Sequence, residues 1–228
     1  MRASPSSLAR LKELPLRIRV QDSIRDAILS GKLNPGDHLR ELHLAQELGV
    51  SQNTVREALL QLEQTGLVIR TPNKFTMVTR LSSSDICERV AVRLMLEPPA
   101  WPLAARRMGE SERAQLQAVV REMEFAASAQ KAFALAQADL RFHGLIWQWT
   151  GNQFLFQTLS QVTLPLFAFV SLLRNRRADC LENTPAEHAE LFELLAGGDE
   201  GAIRAAAHRH ITNVYREFLP PGKDSFDS

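Results

Sequence analysis

Asp139 and His143 stand four residues apart, a spacing that puts both side chains on one helix face, about 6 Å from each other. A carboxylate and an imidazole so placed can reach the same ion. Further along, His188 falls in phase with Leu191 and Leu195, so it points into the apolar stripe of its helix. His210 does the same with Ile203, Ala207, Val214 and Phe218, while His208 lies roughly 200° away around that helix and faces outward. Three inward imidazoles and one inward carboxylate, drawn from three helices, suit a first-row divalent metal with positions left for water or ligand. Spacing alone leaves the alternative open that each histidine is a hydrogen-bonded core residue and Asp139 a helix-face carboxylate.

A second group of polar residues opens a helix near the other end of the chain. In Glu41–Gly66 an apolar helix ends at Gly49, Ser51 stands where an N-cap belongs, and a second helix buries Val55, Ala58, Leu59 and Leu62. Leu42, Ala45 and Leu48 are expected on the packing face of the first helix. Ala45, Gly49 and Val55 fall where a helix-turn-helix wants a small residue, a turn residue and a buried apolar residue. Ser51, Gln52, Asn53, Thr54 and Arg56 are then the side chains able to read base edges or hold phosphates. An ordinary helical hairpin would satisfy the same periodicity, so the flanking sequence has to decide.

The elements around these two groups predict a mainly α protein. Residues 1–14 read as a flexible arm and 220–228 as a disordered tail. Residues 15–81 hold a helix from Leu16 to Ser30 stopped by Gly31, the turn Asn34-Pro35-Gly36-Asp37, the helix-turn-helix, and two β-prone runs. Those runs, 67–70 and 75–81, flank Thr71-Pro72-Asn73-Lys74 and make a wing, with Lys74 a further DNA-binding candidate. Residues 82–219 read as an all-α antiparallel helical bundle, the first helix capped at Ser84-Asp85. Pro98, Pro99 and Pro102 are expected to kink or restart it. Pro165 should bend a very apolar helix over 153–177, and Thr184-Pro185-Ala186-Glu187 starts the next one.

Composition is compatible with this plan. The chain has 228 residues, 45% of them hydrophobic, enough for two packed units. Its net charge of +1 conceals an uneven spread, +4 over residues 1–80 and −3 over the remainder, which suits a DNA-binding head on a separate body. Cys87 and Cys180 lie far apart without metal-type spacing, as expected of idle thiols in a reducing compartment. No signal-peptide core opens the chain and no uninterrupted apolar run reaches the roughly 18–20 residues needed to cross a bilayer. The expected location is the cytoplasm, with no membrane partner.

Two ordered motifs carry a family resemblance. Ile24-Arg25-x-Ala27-Ile28-x-x-Gly31-x-Leu33-x-Pro35-Gly36, Leu44-Ala45-x-x-Leu48-Gly49-Val50-Ser51 and Val55-Arg56-Glu57-Ala58-Leu59 resemble the winged-helix domain of GntR-family bacterial transcription regulators. The resemblance implies DNA contacts from Arg40, from the residues opening the second helix, and from Arg56. The family usually has Ser-Arg-Thr-Pro where this chain has Ser51-Gln52-Asn53-Thr54, and Gly at the wing tip where it has Phe75. Gln and Asn can pair bidentately with adenine whereas Arg favours guanine, so an operator unlike the family's commonest is implied.

The second motif set comprises Arg93 with Leu94-x-Leu96-Glu97-Pro98, Asp139-x-x-Phe142-His143, Gly151-Asn152, Glu187-His188 and His210. It resembles the FadR-type C-terminal effector domain. That resemblance implies zinc, with nickel the alternative, held by Asp139, His143, His188 and His210, and an effector pocket touched by Arg93 and Asn152.

The expectation is a homodimeric, metal-binding transcription regulator on a pseudo-palindromic DNA operator, controlled by a small carboxylate effector and without enzymatic activity. Two rivals stay open. A metalloenzyme acting on the acid lacks a sequence-evident Glu base beside the ligands, as in His-Glu-x-x-His, or a nucleophile signature. A regulator with a purely structural metal predicts no effector response.

Overall fold

The computed structural model describes residues 15–71, 75–176 and 184–219, so the predicted arm and tail, Lys74 and Cys180 lie outside the described residues. The N-terminal unit is a winged helix-turn-helix: α1 (Leu16–Leu29), α2 (Glu41–Leu48), α3 (Gln52–Gln64), β1 (Val68–Thr71) and β2 (Phe75–Val78). Between α2 and α3, Gly49 takes φ 63°, a left-handed conformation that costs glycine little. Ser51 caps α3 by accepting from the backbone N–H of Thr54. The strands pair antiparallel with Val68 opposite Val78 and Thr71 opposite Phe75. Val20, Ile24 and Ile28 of α1 pack on Val55, Leu59 and Leu62 of α3 and on Val78 to form this unit's core.

One predicted face shifts. Ala45 is buried and Leu48 packs against the core as expected, but Leu42 is 61% exposed and Leu44 takes its place. With only eight residues, α2 takes its phase from contact with α1 and α3 rather than from its own weak periodicity.

The remainder is helical: α4 (Ser83–Ala105), α5 (Glu110–Ser128), α6 (Ala132–Trp149), α7 (Gln153–Arg176), α8 (Thr184–Gly197), α9 (Glu200–Val214) and a single 3-10 turn at Arg216–Phe218. The cap of α4 is Ser82, not Ser84: its hydroxyl accepts from the Asp85 N–H while Asp85 accepts from the Ser82 N–H. Pro98, Pro99 and Pro102 neither break nor restart α4, which runs through all three. Burial of Pro98, Ala100, Trp101 and Pro102 offsets the backbone hydrogen bonds that the prolines cannot donate.

Over Gln153–Leu173, α7 has a mean hydropathy of 1.4 and is long and apolar enough to cross a membrane by composition alone. Two-sided packing accounts for that composition. Leu159, Leu166 and Phe167 join cores of the helical unit, while Leu164 and Ala168 belong to the core of the winged helix. Gly66, at φ 73°, faces α7 so closely that an added Cβ would lie 3.1 Å from the Gln161 carbonyl and 3.2 Å from Pro165 Cγ.

Candidate metal centre and DNA-reading surface

α6, α8 and α9 bring the three predicted inward histidines together in the buried centre of the helical unit. His143, His188 and His210 each offer a donor atom, all within 4.8 Å of one another. The His143 and His210 rings stack with centroids 5.3 Å apart, and His188 stands edge-on to His210 at 4.9 Å. Asp139, one turn before His143, places Oδ1 3.1 Å from His188 Nε2 and 3.5 Å from His143 Nε2. His208 is half-buried and accepts, at its main-chain carbonyl, from the Thr212 hydroxyl.

Neighbours set the tautomers. His143 Nδ1 lies 2.6 Å from a Glu97 oxygen and His188 Nδ1 lies 2.7 Å from the Thr184 carbonyl. Oxygen acceptors at Nδ1 make that nitrogen the N–H, so each Nε2 carries a lone pair aimed inward. Those two Nε2 atoms are buried and make no hydrogen bond among the described residues, while His210 Nδ1 lies 3.5 Å from a Glu187 carboxylate oxygen. Burial holds His143 below its ordinary range despite Glu97 beside it, and pushes His210 down to about 4. The inward Nε2 atoms of His143 and His188 and the ring of His210 converge beside the Asp139 carboxylate, an arrangement that a divalent cation satisfies. The donor set therefore fits a metal such as zinc.

Glu97 was not among the expected site residues. It is fully buried on α4 and accepts from Arg93 Nε at 2.5 Å, from Trp101 Nε1 at 3.2 Å and from His143. Burial alone would raise its pKa, but Arg93 and His143 hold it well below the usual carboxylate range. A carboxylate does stand beside the ligands, contrary to the sequence expectation. It is committed to three donors and is an orienting group, not an available base. The signal was present: Arg93 and Glu97 are an i, i+4 ion pair in an otherwise apolar stretch.

Arg93 lines a cavity with Asp139, His143, Phe167, Val170, His210, Val214 and Tyr215, in which space of ≈ 10 Å³ remains. Its guanidinium lies over the rings of Phe167 and Tyr215. Asn152 is not among the lining residues. Its side-chain oxygen accepts from the N–H groups of Phe154 and Leu155, so it is the exposed cap of α7. An Asn after a glycine-terminated helix is a capping signal first, and capping α7 is the role this structure gives Asn152.

On the winged helix, Gln52, Asn53 and Arg56 are exposed along the start of α3, and Thr54 is half-buried with Oγ1 2.8 Å from Ser51 Oγ. Arg40 is exposed at the N-cap of α2. Glu41, unremarked in the sequence, accepts from both Arg56 and Gln52.

A winged helix-turn-helix head docked on an all-helical body defines a DNA-binding transcription regulator. Residues 16–78 match the gntR family of bacterial regulatory proteins, and residues 88–213 match the FCD domain; the chain belongs to this family of FCD-domain regulators. It is 26% identical over 218 residues to the HTH-type transcriptional regulator YdhC of Bacillus subtilis, covering 94% of this chain and 97% of the relative. It is 24% identical to the HTH-type transcriptional repressor RspR of Escherichia coli, covering 88% and 87%. The solved structure of E. coli McbR/YncC shares the fold, with a TM-score of 0.77 at 21% identity, covering 91% of this chain and 100% of that one.

Proposed function

We propose that this regulator is a cytoplasmic homodimer that holds a divalent metal, zinc in the first instance, and adjusts its operator affinity to a small organic acid bound there. The observation that carries the reading is the convergence of buried ring nitrogens of His143, His188 and His210 within 4.8 Å of one another, beside Asp139. A divalent ion supplies a positive centre that favours oxygen donors of an anionic ligand. Asp139, His143, His188 and His210 would hold it, and Glu97 and the Thr184 carbonyl orient two of the imidazoles. Arg93, on the cavity wall, supplies a second positive group for a carboxylate. Val92, Met95 and Leu103 leave an exposed apolar ridge along α4, which supports pairing with a second copy. A two-fold dimer places its α3 helices in successive major grooves of a pseudo-palindromic site, with Arg40, Ser51, Gln52, Asn53, Thr54, Arg56 and Lys74 toward DNA.

A purely structural metal is the second reading. It is favoured by the engagement of Arg93 with Glu97 and by the small remaining space in the cavity. Protein purified without chelator should contain about one divalent ion per chain. Adding small carboxylic acids to that protein should change its operator affinity; metal present with no response to any acid would establish the structural role.

A further inference from the structure

Three side chains at the DNA-facing surface converge on one carboxylate. Glu41 opens α2 with only 18% of its side chain exposed. From α3, Arg56 donates to its Oε2 through Nε at 3.1 Å and through NH2 at 2.9 Å, and Gln52 Nε2 donates to the same oxygen at 3.1 Å. From β1, Arg70 NH2 stands 3.6 Å from Oε1. The carboxylate thus ties recognition helix and wing to the first helix of the motif.

This arrangement divides the guanidinium into two edges. The Nε–H and one NH2 hydrogen are taken by Glu41. The hydrogens left, on NH1 and the far side of NH2, form a second two-donor fork directed away from Glu41. Such a fork matches O6 and N7 of guanine, and also a phosphate. Glu41 separates these uses. Its negative charge weakens attraction to any duplex, so it adds nothing to phosphate binding. What it adds is direction, because an arginine braced from behind has lost the freedom to follow a phosphate. The Arg56 hydrogen bonds also lower the Glu41 pKa, which keeps the brace ionised. Gln52 is braced through one amide hydrogen and keeps its oxygen and its other hydrogen for a neighbouring base.

We infer that Glu41 is a positioning residue for base readout, aiming the outer edge of Arg56 at a guanine and fixing the Gln52 amide beside it. Operator specificity then depends on a residue that need not touch DNA. The inference rests on the docking of α3 in the major groove.

Full-length wild type, Arg56→Ala, Glu41→Gln and Glu41→Ala would each be used to select from a pool of random-sequence duplexes. Wild type should enrich a guanine in each half-site that all three variants lose. In both Glu41 variants the ratio of selected-site to random-duplex affinity should fall about 5–150-fold, the loss of one bidentate base contact. Random-duplex affinity should stay the same or rise, and adding Glu41→Gln to Arg56→Ala should lower the ratio no further. Retention of the guanine preference by a folded Glu41 variant would overturn the assignment. So would an equal fall in selected and random binding, the mark of a merely structural role. Uniform weakening by Arg56→Ala, with a salt slope shallower by about one ion, would make Arg56 a phosphate contact and also overturn it. A wild type that enriches no site would overturn the docking of α3 as well.

Discussion

Ser171 of α7 donates its hydroxyl to the main-chain carbonyl of Leu29, the last residue of α1, across 2.7 Å. Phe167 and Val170 of the same helix line the cavity shared with the histidines. One helix therefore touches both the candidate metal centre and the DNA-binding head. The Ser82–Asp85 junction at the start of α4 is not the sole route between them. Replacing Ser171 by Ala removes a buried hydrogen bond worth about 0.5–1.5 kcal/mol. Expected are unchanged metal content and faster amide exchange at the end of α1; unaltered exchange there would show that this bond does not hold the head.

Glu97→Gln tests the orienting role of the carboxylate behind His143. All four residues proposed to hold the metal stay in place, but the acceptor at His143 Nδ1 is weakened and Arg93 loses its ion-pair partner. Loss of such an outer partner typically lowers metal affinity about 10–100-fold. Competitive titration of zinc against a chromophoric chelator would measure it, and wild-type affinity in a folded variant would remove Glu97 from the site.

Much of this was legible in the chain because it is local. Val55, Ala58, Leu59 and Leu62 bury one stripe of α3, and His143, His188 and His210 follow the phases of their own helices inward. What was not legible depends on partners far away in sequence. Glu97 meets His143 across 46 positions and Glu41 meets Arg56 across 15, distances over which no periodicity operates. The prolines of α4 were misread for the same reason, since burial of their rings against other helices outweighs a local rule. Leu42 shows the limit in a short helix, where two turns define no reliable face.

The neutral histidines give stability a definite pH dependence. An unfolded imidazole titrates near 6.5, while His143 is held lower and His210 lies at about 4 in the fold. The unfolded chain thus binds more protons between these values, and stability rises with pH across that window. The contribution is complete above about pH 6.5 and is lost as pH falls from there through about 4. For metal-free protein, the urea midpoint should drop between about pH 7 and pH 5, less steeply in His210→Ala. Equal slopes in the two proteins would mean that His210 is not held neutral by burial.

His208 and His210 provide an internal control on one helix. His210 is buried in the cluster, whereas His208 faces a different direction beside Thr212. Elemental analysis should find metal content reduced in His210→Ala and unchanged in His208→Ala. The reverse result would place the ion on another face of α9.

Coupling between the two units can be broken without touching either site. Gly66 sits at φ 73°, and a Cβ there would press on the Gln161 carbonyl and Pro165 Cγ of α7. Gly66→Ala therefore combines left-handed backbone strain with a push that separates the head from α7. Allosteric coupling between two such sites typically amounts to about 1–3 kcal/mol, or roughly 5–150-fold in affinity. By linkage, the factor by which an acid alters operator affinity is the factor by which operator alters acid affinity. A carboxylic acid that stabilises the metal-loaded protein would be titrated with and without operator, in wild type and in Gly66→Ala. Wild type should give two affinities separated by the same factor that the acid imposes on operator binding. Gly66→Ala should bind acid and metal as before, with the two affinities drawn together, because the close contact of α7 with the head at Gly66 is displaced. If the variant keeps the full separation, the signal passes through α4 alone, and the close approach of Gly66 to Pro165 is packing without regulatory consequence.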